Sequence, residues 1–254
     1  MASPQIARGE RIYAVGDVHG RLDLFSEIVR RIRSDAEHLP PRRTRLILIG
    51  DVVDRGPDSR ALVEHLCVHA GDPNLIVLRG NHEQMMLNAI AGDSQSLTAW
   101  LRFGGDATLR SWNFSDEELA LDPSELAHVL KDRFPKAVLS WIRQLPFSYQ
   151  SGDFFFAHAG ISPGVPLDEQ EPGSLMWIGD EFLSFEGDHP AVIVHGHTIV
   201  ETGPDIRRNR IALDTGAYRT NRLSAVCFEG SRQWTIVTSA GADASAEFDI
   251  AEHP

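Results

Sequence analysis

Cysteine is nearly absent. Cys67 and Cys227 are the only two in 254 residues, each lies in an apolar stretch, and their spacing suggests neither a disulfide framework nor a thiolate zinc site. Both are expected to be reduced core residues. Clustered positive charge is missing as well. Lys and Arg number 24 against 36 Asp and Glu, leaving a formal charge of -12. Neutralising a nucleic-acid backbone needs grouped cations, so nucleic acid is excluded as the main partner. A phosphorylated substrate is not excluded, because bound divalent ions supply positive charge locally and acidic residues bind them. No apolar run approaches the roughly 20 residues of a membrane span. The segment Met1–Glu10 is polar, without the apolar stretch of a secretory signal. The expectation is a cytoplasmic protein with no membrane partner. Internal repeats and low-complexity segments are also lacking.

What is present is ordinary globular material. Hydrophobic residues make up 42% and charged residues 24%, with 21 glycines, which is enough apolar matter for a sizeable core. One domain spanning 1–254 is expected. Apolar runs recur in a fixed order. Arg11–Val15 reads as a buried strand ending on Gly16, and Leu22, Phe25, Ile28, Val29 and Ile32 then follow helical spacing. Leu46–Ile49 ends on Gly50 before a helical stretch around Ala61–Val68, and Leu75–Leu78 ends on Gly80 before Glu83–Ala91. Three strand-glycine-helix units imply a largely parallel sheet, with ligands gathered at the carboxyl ends of its strands. The stretch from about 94 to 145 reads as a helical insertion punctuated by Pro123 and Pro135. Beyond Phe147 the pattern turns to strands at Asp153–Ala157, Ala191–Val194, Ile211–Asp214, Ser224–Phe228 and Trp234–Thr238. From about 240 the chain is small and polar, a tail expected to fray. The fold class is α/β: two sheets face to face, one mainly from each half, with helices outside.

The residues that carry chemistry fall at the strand ends. They are Asp17 and His19 in Gly16–Gly20, Asp51, Asp54 and Arg55 in Gly50–Gly56, Asn81 and His82 in Gly80–Glu83, His158 before Ala159–Gly160, and His195 and His197 around Gly196. Singly, Asp17, Asp51 or Asn81 reads as a turn residue or a helix N-cap. Jointly, five strand ends presenting carboxylate, amide and imidazole read as a metal site. Oxygen and neutral imidazole suit Mn, Fe, Zn, Co or Ni rather than a thiolate-preferring ion. So large a set exceeds what one ion needs, and two divalent ions sharing a carboxylate and a water would use all of it.

In this conjunction and order the motifs resemble those of calcineurin-like metallophosphoesterases, in the bacterial and phage branch of the serine/threonine protein phosphatases. The resemblance runs from about Arg11 to Thr220. It implies the four-layer α/β/β/α sandwich of two mixed sheets flanked by helices that is the metallo-dependent phosphatase fold. It implies that Asp17 and His19 bind one ion, that Asp51 bridges, and that Asn81, His158 and His197 bind the other, with manganese the first expectation. It further implies phosphomonoester hydrolysis by a metal-bridging hydroxide, with His82 as general acid and Asp54 orienting its imidazole. Arg55 and Asn81 would hold the phosphoryl oxygens, and Tyr218 in Leu213–Tyr218 is a candidate substrate contact. The substrate would be a phosphorylated protein or a small phosphoester.

The chain departs from the branch at one place. A Trp-Ile-Arg segment there supplies a second arginine to the phosphate, whereas this chain reads Trp177-Ile178-Gly179. Trp141-Ile142-Arg143 repeats the letters but belongs to the preceding helical stretch. A charge-assisted hydrogen bond is worth roughly 1.5–3 kcal/mol, so its loss would cost on the order of 10- to 100-fold unless Arg102, Arg110, Arg207 or Arg208 substitutes. Two alternatives stand beside the protein phosphatase reading, the first from shared motifs and the second from Gly179. One is a hydrolase of dinucleoside polyphosphates of the diadenosine tetraphosphate type. The other is a weakly catalytic module that binds phosphorylated partners. His195 reads either as a residue tuning the site or as a core histidine. His38, His65, His69, His128, His189 and His253 have no motif around them. Glu83 reads as a supporting or helix-terminal charge, and Arg42, Arg43 and Arg45 as a solvated edge before the second strand. Oligomeric state and native metal are not legible.

Overall fold

A computed structural model describes residues 3–238; the polar tail from Ala240 and His253 lie outside them. The first half alternates β1 (Glu10–Val15), α1 (Leu22–Glu37), β2 (Arg43–Leu48), α2 (Ser59–Val68), β3 (Leu75–Val77) and α3 (Asn81–Ile90). The expected helical stretch then resolves into α4 (Ser94–Trp100), a π-helical turn (Leu101–Gly105), α5 (Asp106–Ser111), α6 (Asp116–Leu119), α7 (Pro123–Arg133) and α8 (Lys136–Gln144). The second half runs β4 (Ser148–Ser151), β5 (Phe154–Ala157), α9 (Pro172–Trp177), α10 (Asp180–Leu183), β6 (Val192–His195), β7 (Asp205–Ile206), β8 (Arg210–Ala212), α11 (Ala217–Thr220), β9 (Ser224–Glu229) and β10 (Arg232–Val237).

The strands form two five-stranded sheets, ordered β10-β9-β1-β2-β3 and β4-β5-β6-β8-β7. In the first, β1, β2 and β3 are parallel and β9 is antiparallel to β1. In the second, β5, β6 and β8 are parallel. Each half contributes most of one sheet, but β9 and β10 return from the far end of the chain to complete the first. Strand alternation assigns the layers. Ile12 and Ala14 of β1 and Ile47 of β2 meet Phe154, Phe156, Val194 and Phe228 between the sheets. Tyr13 and Val15 face outward onto Phe25 and Ile28 of α1, Leu62 of α2 and Met86 of α3. On the other sheet Phe155, Ala157 and Ile193 pack on Leu175 of α9 and Phe182 of α10. The result is the expected α/β/β/α sandwich, a period of two sorting side chains between two cores.

Two strands escaped the pattern. β4 and β7 are edge strands, one reading Ser-Tyr-Gln-Ser and the other two residues long, so neither carries an apolar alternation. Arg45 corrects a further expectation. It is not a solvated edge but a buried residue of β2, paired with Glu10 of β1 and set over the Tyr149 ring of the other sheet at 5.7 Å.

The inter-sheet layer sets the first prediction. Phe228 is fully buried, with Phe154 edge-on at 4.9 Å and Phe156 at 5.6 Å. Phe228→Ala is expected to lower stability by roughly 3–5 kcal/mol in urea unfolding. Val68→Ala, at a position 82% exposed, should stay within about 0.5 kcal/mol. Equal effects from both would contradict the layer assignment.

Candidate metal centre

Parallel strands in both sheets bring their carboxyl ends to one edge, and the loops that leave them are laced together. The Asp51 carbonyl accepts from the N–H groups of Val18 and His19, and the His158 carbonyl accepts from Gly196. These turns are sharp. Of the seven non-glycine residues with positive φ among the described residues, five are His19, Asp51, Asp54, Arg55 and His197. Left-handed backbone at non-glycine residues is costly and persists where surrounding contacts hold it, often at functional sites.

Asp51 stands at the centre. Its Oδ1 accepts the N–H of His82 at 3.0 Å, which leaves Oδ2 facing three imidazoles. Oδ2 lies 3.3 Å from His158 Nε2, 3.8 Å from His19 Nε2 and 3.9 Å from His82 Nε2. Donor atoms of Asp51, His158 and His197 lie within 4.8 Å of one another, and so do those of His19, Asp51 and His82. Asp51 belongs to both groups. Asn81 joins the first through Oδ1, 2.8 Å from His158 Nε2 and 3.0 Å from His197 Nδ1. Asp17 is in neither group. Its buried carboxylate accepts the His197 N–H at 3.1 Å.

Backbone carbonyls orient the rings. His19 Nδ1–H donates to Val53 O at 2.8 Å and His158 Nδ1–H to Ile49 O at 3.0 Å, so both turn Nε2 inward. Such carbonyl partners are the usual orienters of metal-binding histidines. Burial, with His82 and Arg55 nearby, drives the His19 pKa down to about 3, and burial, with His158 nearby, takes His197 to about 4. Both rings are therefore neutral. Burial also opposes charge at His158, but the Asp51 carboxylate outweighs it and raises that pKa to about 10. Asp51 is correspondingly held well below the usual carboxylate range: burial would raise it, and the imidazoles overcome that.

The residues fit divalent ions on two further observations. Oxygen and imidazole donors without a thiolate suit borderline and harder metals. The carboxylates also approach backbone too closely for side chains. A Cβ on Gly80 would meet Asp51 Oδ1 at 2.1 Å and one on Gly196 would meet Asp17 Oδ1 at 2.0 Å.

The sequence profile of the calcineurin-like phosphoesterases matches residues 10–228, most of the chain. The chain belongs to that family. It is 40% identical over 221 residues to serine/threonine-protein phosphatase 1 of Salmonella typhimurium (strain LT2), covering 84% of this chain and 89% of that protein. It is 27% identical over 186 residues to a symmetrical bis(5'-nucleosyl)-tetraphosphatase of Acidovorax sp. (strain JS42), covering 72% of this chain and 51% of that one. A solved structure provisionally described as a diadenosine tetraphosphatase superposes with a TM-score of 0.61 at 21% identity, covering 94% of this chain and all of the other, and shares the fold. The protein is thus a metal-dependent phosphoester hydrolase.

Around the phosphoesterase's centre the other expected residues fall as follows. His82 Nδ1 donates to Asp54 Oδ2 at 2.7 Å. Arg55 reaches across the mouth, with Nη1 3.1 Å from His19 Nε2 and Nη2 3.0 Å from His82 Nε2, and its guanidinium covers the Tyr218 ring at 4.6 Å. A Cβ at Gly179 would meet nothing within 4 Å, so the backbone there has room for a side chain. Of the named substitutes, Arg110 pairs with Asp106 and Asp116, Arg207 with Asp205 and Arg208 with Asp188, and Arg102 is exposed. His195 is fully buried and edge-on to Phe182 at 5.0 Å, with Nδ1 3.0 Å from the Gly196 carbonyl and Nε2 without a protein partner. No helix among the described residues is long and apolar enough to cross a membrane.

Asp214, Trp100 and Thr108 were not assigned from sequence. Asp214 is buried against Asp17, and burial together with Asp214 holds the Asp17 pKa well above the carboxylate range. Trp100 and Thr108 reach Asp54 from the helical stretch; the Gly104–Gly105 pair inside that stretch was the one signal of something unusual. Glu83, read as a supporting charge, does far more. Its carboxylate accepts the N–H groups of Gly80, Asp51, Val52 and Val53 at 2.8–3.2 Å, tying the loop after β2 to the start of α3. Burial and then Asp51 push its pKa to about 7, while the amides favour the charged form.

Glu83→Gln turns one acceptor into a donor facing these amides. It is expected to destabilise the protein by roughly 1–3 kcal/mol in thermal or urea unfolding, the cost of leaving a buried donor unpaired. A neutral effect would show that the tie is dispensable.

Proposed function

We propose that the phosphoesterase hydrolyses phosphomonoesters, with phosphoserine and phosphothreonine of proteins as substrates and two divalent ions, manganese first among them, as cofactors. The observation that carries this reading is Asp51, one carboxylate common to two donor groups. Asp17 and His19 would hold one ion, Asn81, His158 and His197 the other, and Asp51 both. When bound, such ions lower the pKa of water between them and offset phosphoryl charge.

The protein's own groups do the rest. Arg55 presents a planar fork at the mouth, and binding a phosphoryl group draws it off the Nε2 atoms of His19 and His82. Asn81 opens α3, whose N-terminal amides favour an anion. His82 is the general acid. The Asp51 and Asp54 carboxylates raise its pKa against burial, and with Nδ1 fixed on Asp54 the proton for the leaving oxygen sits on Nε2. Tyr218 backs the guanidinium.

Two features favour a phosphomonoester over a dinucleoside polyphosphate. Identity to the protein phosphatase is 40%, against 27% to the tetraphosphatase. A polyphosphate also carries charge on several phosphates, whereas Arg55 is the arginine hydrogen-bonded to this site's imidazoles among the described residues. Metal-stripped protein is expected to release phosphate from a phosphoserine peptide only after a divalent ion is restored, and Asp51→Asn to release none above background. Failure with every divalent ion would remove the reading. Cleavage of a dinucleoside tetraphosphate to two diphosphates in place of peptide turnover would establish the alternative.

His158 adds a pH dependence. With a pKa of about 10 it holds a proton at pH 7.5, and a cation taking Nε2 must displace it. Metal binding should therefore release a proton, seen as a binding heat that varies with buffer ionisation enthalpy. Affinity should strengthen up to tenfold per pH unit and level off near pH 10. Heats independent of buffer would show that His158 keeps its proton and is not a ligand.

A further inference from the structure

The general acid depends on Asp54, and Asp54 is held from outside the two sheets. Its Oδ2 accepts both His82 Nδ1–H at 2.7 Å and the indole Nε1–H of Trp100 at 2.8 Å. Its Oδ1 accepts the Thr108 hydroxyl at 2.6 Å, and that hydroxyl in turn accepts the Asp54 N–H at 2.9 Å. Asp54, Trp100 and Thr108 are all fully buried. Between the two donors lies the π-helical turn, and it grips the neighbouring residue too. Gly104 O accepts the Arg55 N–H at 3.0 Å, and Phe103 O lies 3.4 Å from Arg55 Nε.

The turn is shaped for this contact. A Cβ on Gly104, whose φ is +102°, would meet Arg55 Cγ at 2.7 Å, and one on Gly105 would meet the Trp100 indole at 2.5 Å. One glycine lets the turn lie on Arg55 and the next lets it lie on Trp100. Asp54 and Arg55 themselves sit in left-handed backbone, at φ of 73° and 68°, a conformation that needs outside support.

We propose that Trp100 and Thr108 are positioning residues for proton donation. They fix the Asp54 carboxylate so that Oδ2 meets His82 Nδ1 and turns Nε2 toward the leaving oxygen. This rests on His82 being the general acid, as proposed above. The two donors have different consequences from the metal ligands. A carboxylate that has lost one of its anchors rotates, and the imidazole it orients loses its aim, while the donors around Asp51 keep theirs.

The test is the dependence on leaving group. An aryl phosphate with an acidic phenol departs with little need of a proton, whereas an alkyl phosphate such as a phosphoserine peptide needs one. General acid catalysis contributes on the order of 100-fold or more. Trp100→Phe and Thr108→Val, which keep the packing but remove a donor, should lower kcat for the peptide by about tenfold relative to 4-nitrophenyl phosphate, with KM little changed. Thr108→Ser should restore the ratio. His82→Ala should shift the ratio further in the same direction. In metal-free protein the Trp100 indole N–H should be protected from solvent exchange by NMR, and Asp54→Ala should remove that protection.

Equal losses on both substrates, or an unprotected indole N–H, would overturn the positioning role. So would a ratio that shifts in His82→Ala but not in Trp100→Phe and Thr108→Val. A ratio unmoved by His82→Ala would instead refute the general-acid reading, and the positioning role would fall with it.

Discussion

The site depends on how one carboxylate is held. Asp51 is a left-handed residue at the end of a central parallel strand, and every polar group it has is committed. Its N–H goes to Glu83, its carbonyl to Val18 and His19, its Oδ1 to the N–H of His82, and its Oδ2 to the space between three imidazoles. A buried carboxylate without compensation would take up a proton. Here the imidazoles keep it ionised, and its charge in turn raises His158 and His82. The loops after β1, β2 and β3 therefore cannot move independently, because each is fastened to Asp51.

That fastening explains the contrast among the histidines. Five rings lie in the same few strand-end loops, yet their proton states diverge. His19 and His197 are neutral, His195 is neutral with Nδ1 on the Gly196 carbonyl, and His158 is charged against Asp51. His82 is set apart by a different partner, Asp54. Groups of one type acquire separate tasks when burial and neighbouring charge differ, which is the usual way a site divides metal binding from proton transfer.

The site is also built unequally around the mouth. Two sheets and five strand ends supply the donors, while the cationic side rests on the half-buried Arg55, stacked on Tyr218 and gripped by the turn at Gly104. The exposed Trp177 ring lies 6.4 Å from His197.

Much of this was legible in the residues alone. Asp17, His19, Asp51, Asn81 and His197 each follow an apolar run and adjoin a glycine, and His158 ends a run two residues before one, so strand, turn and donor are written in one short string, and the two-sheet sandwich follows from the order of those runs. Edge strands β4 and β7 were not legible, because their polar residues carry no alternation. Arg45 was misread for a related reason: its partners Glu10 and Tyr149 lie on other strands. The proton states, the fourfold tie made by Glu83, and the grip of Trp100 and Thr108 on Asp54 were decided by the tertiary structure. Trp100 and Thr108 stand 46 and 54 residues from the carboxylate they hold, and a hydrogen bond between segments that far apart leaves no periodicity or spacing in the chain. Sequence by itself determined which donors this protein owns; folding determined which way they point and which of them keep a proton, because both depend on what is packed against each group in space.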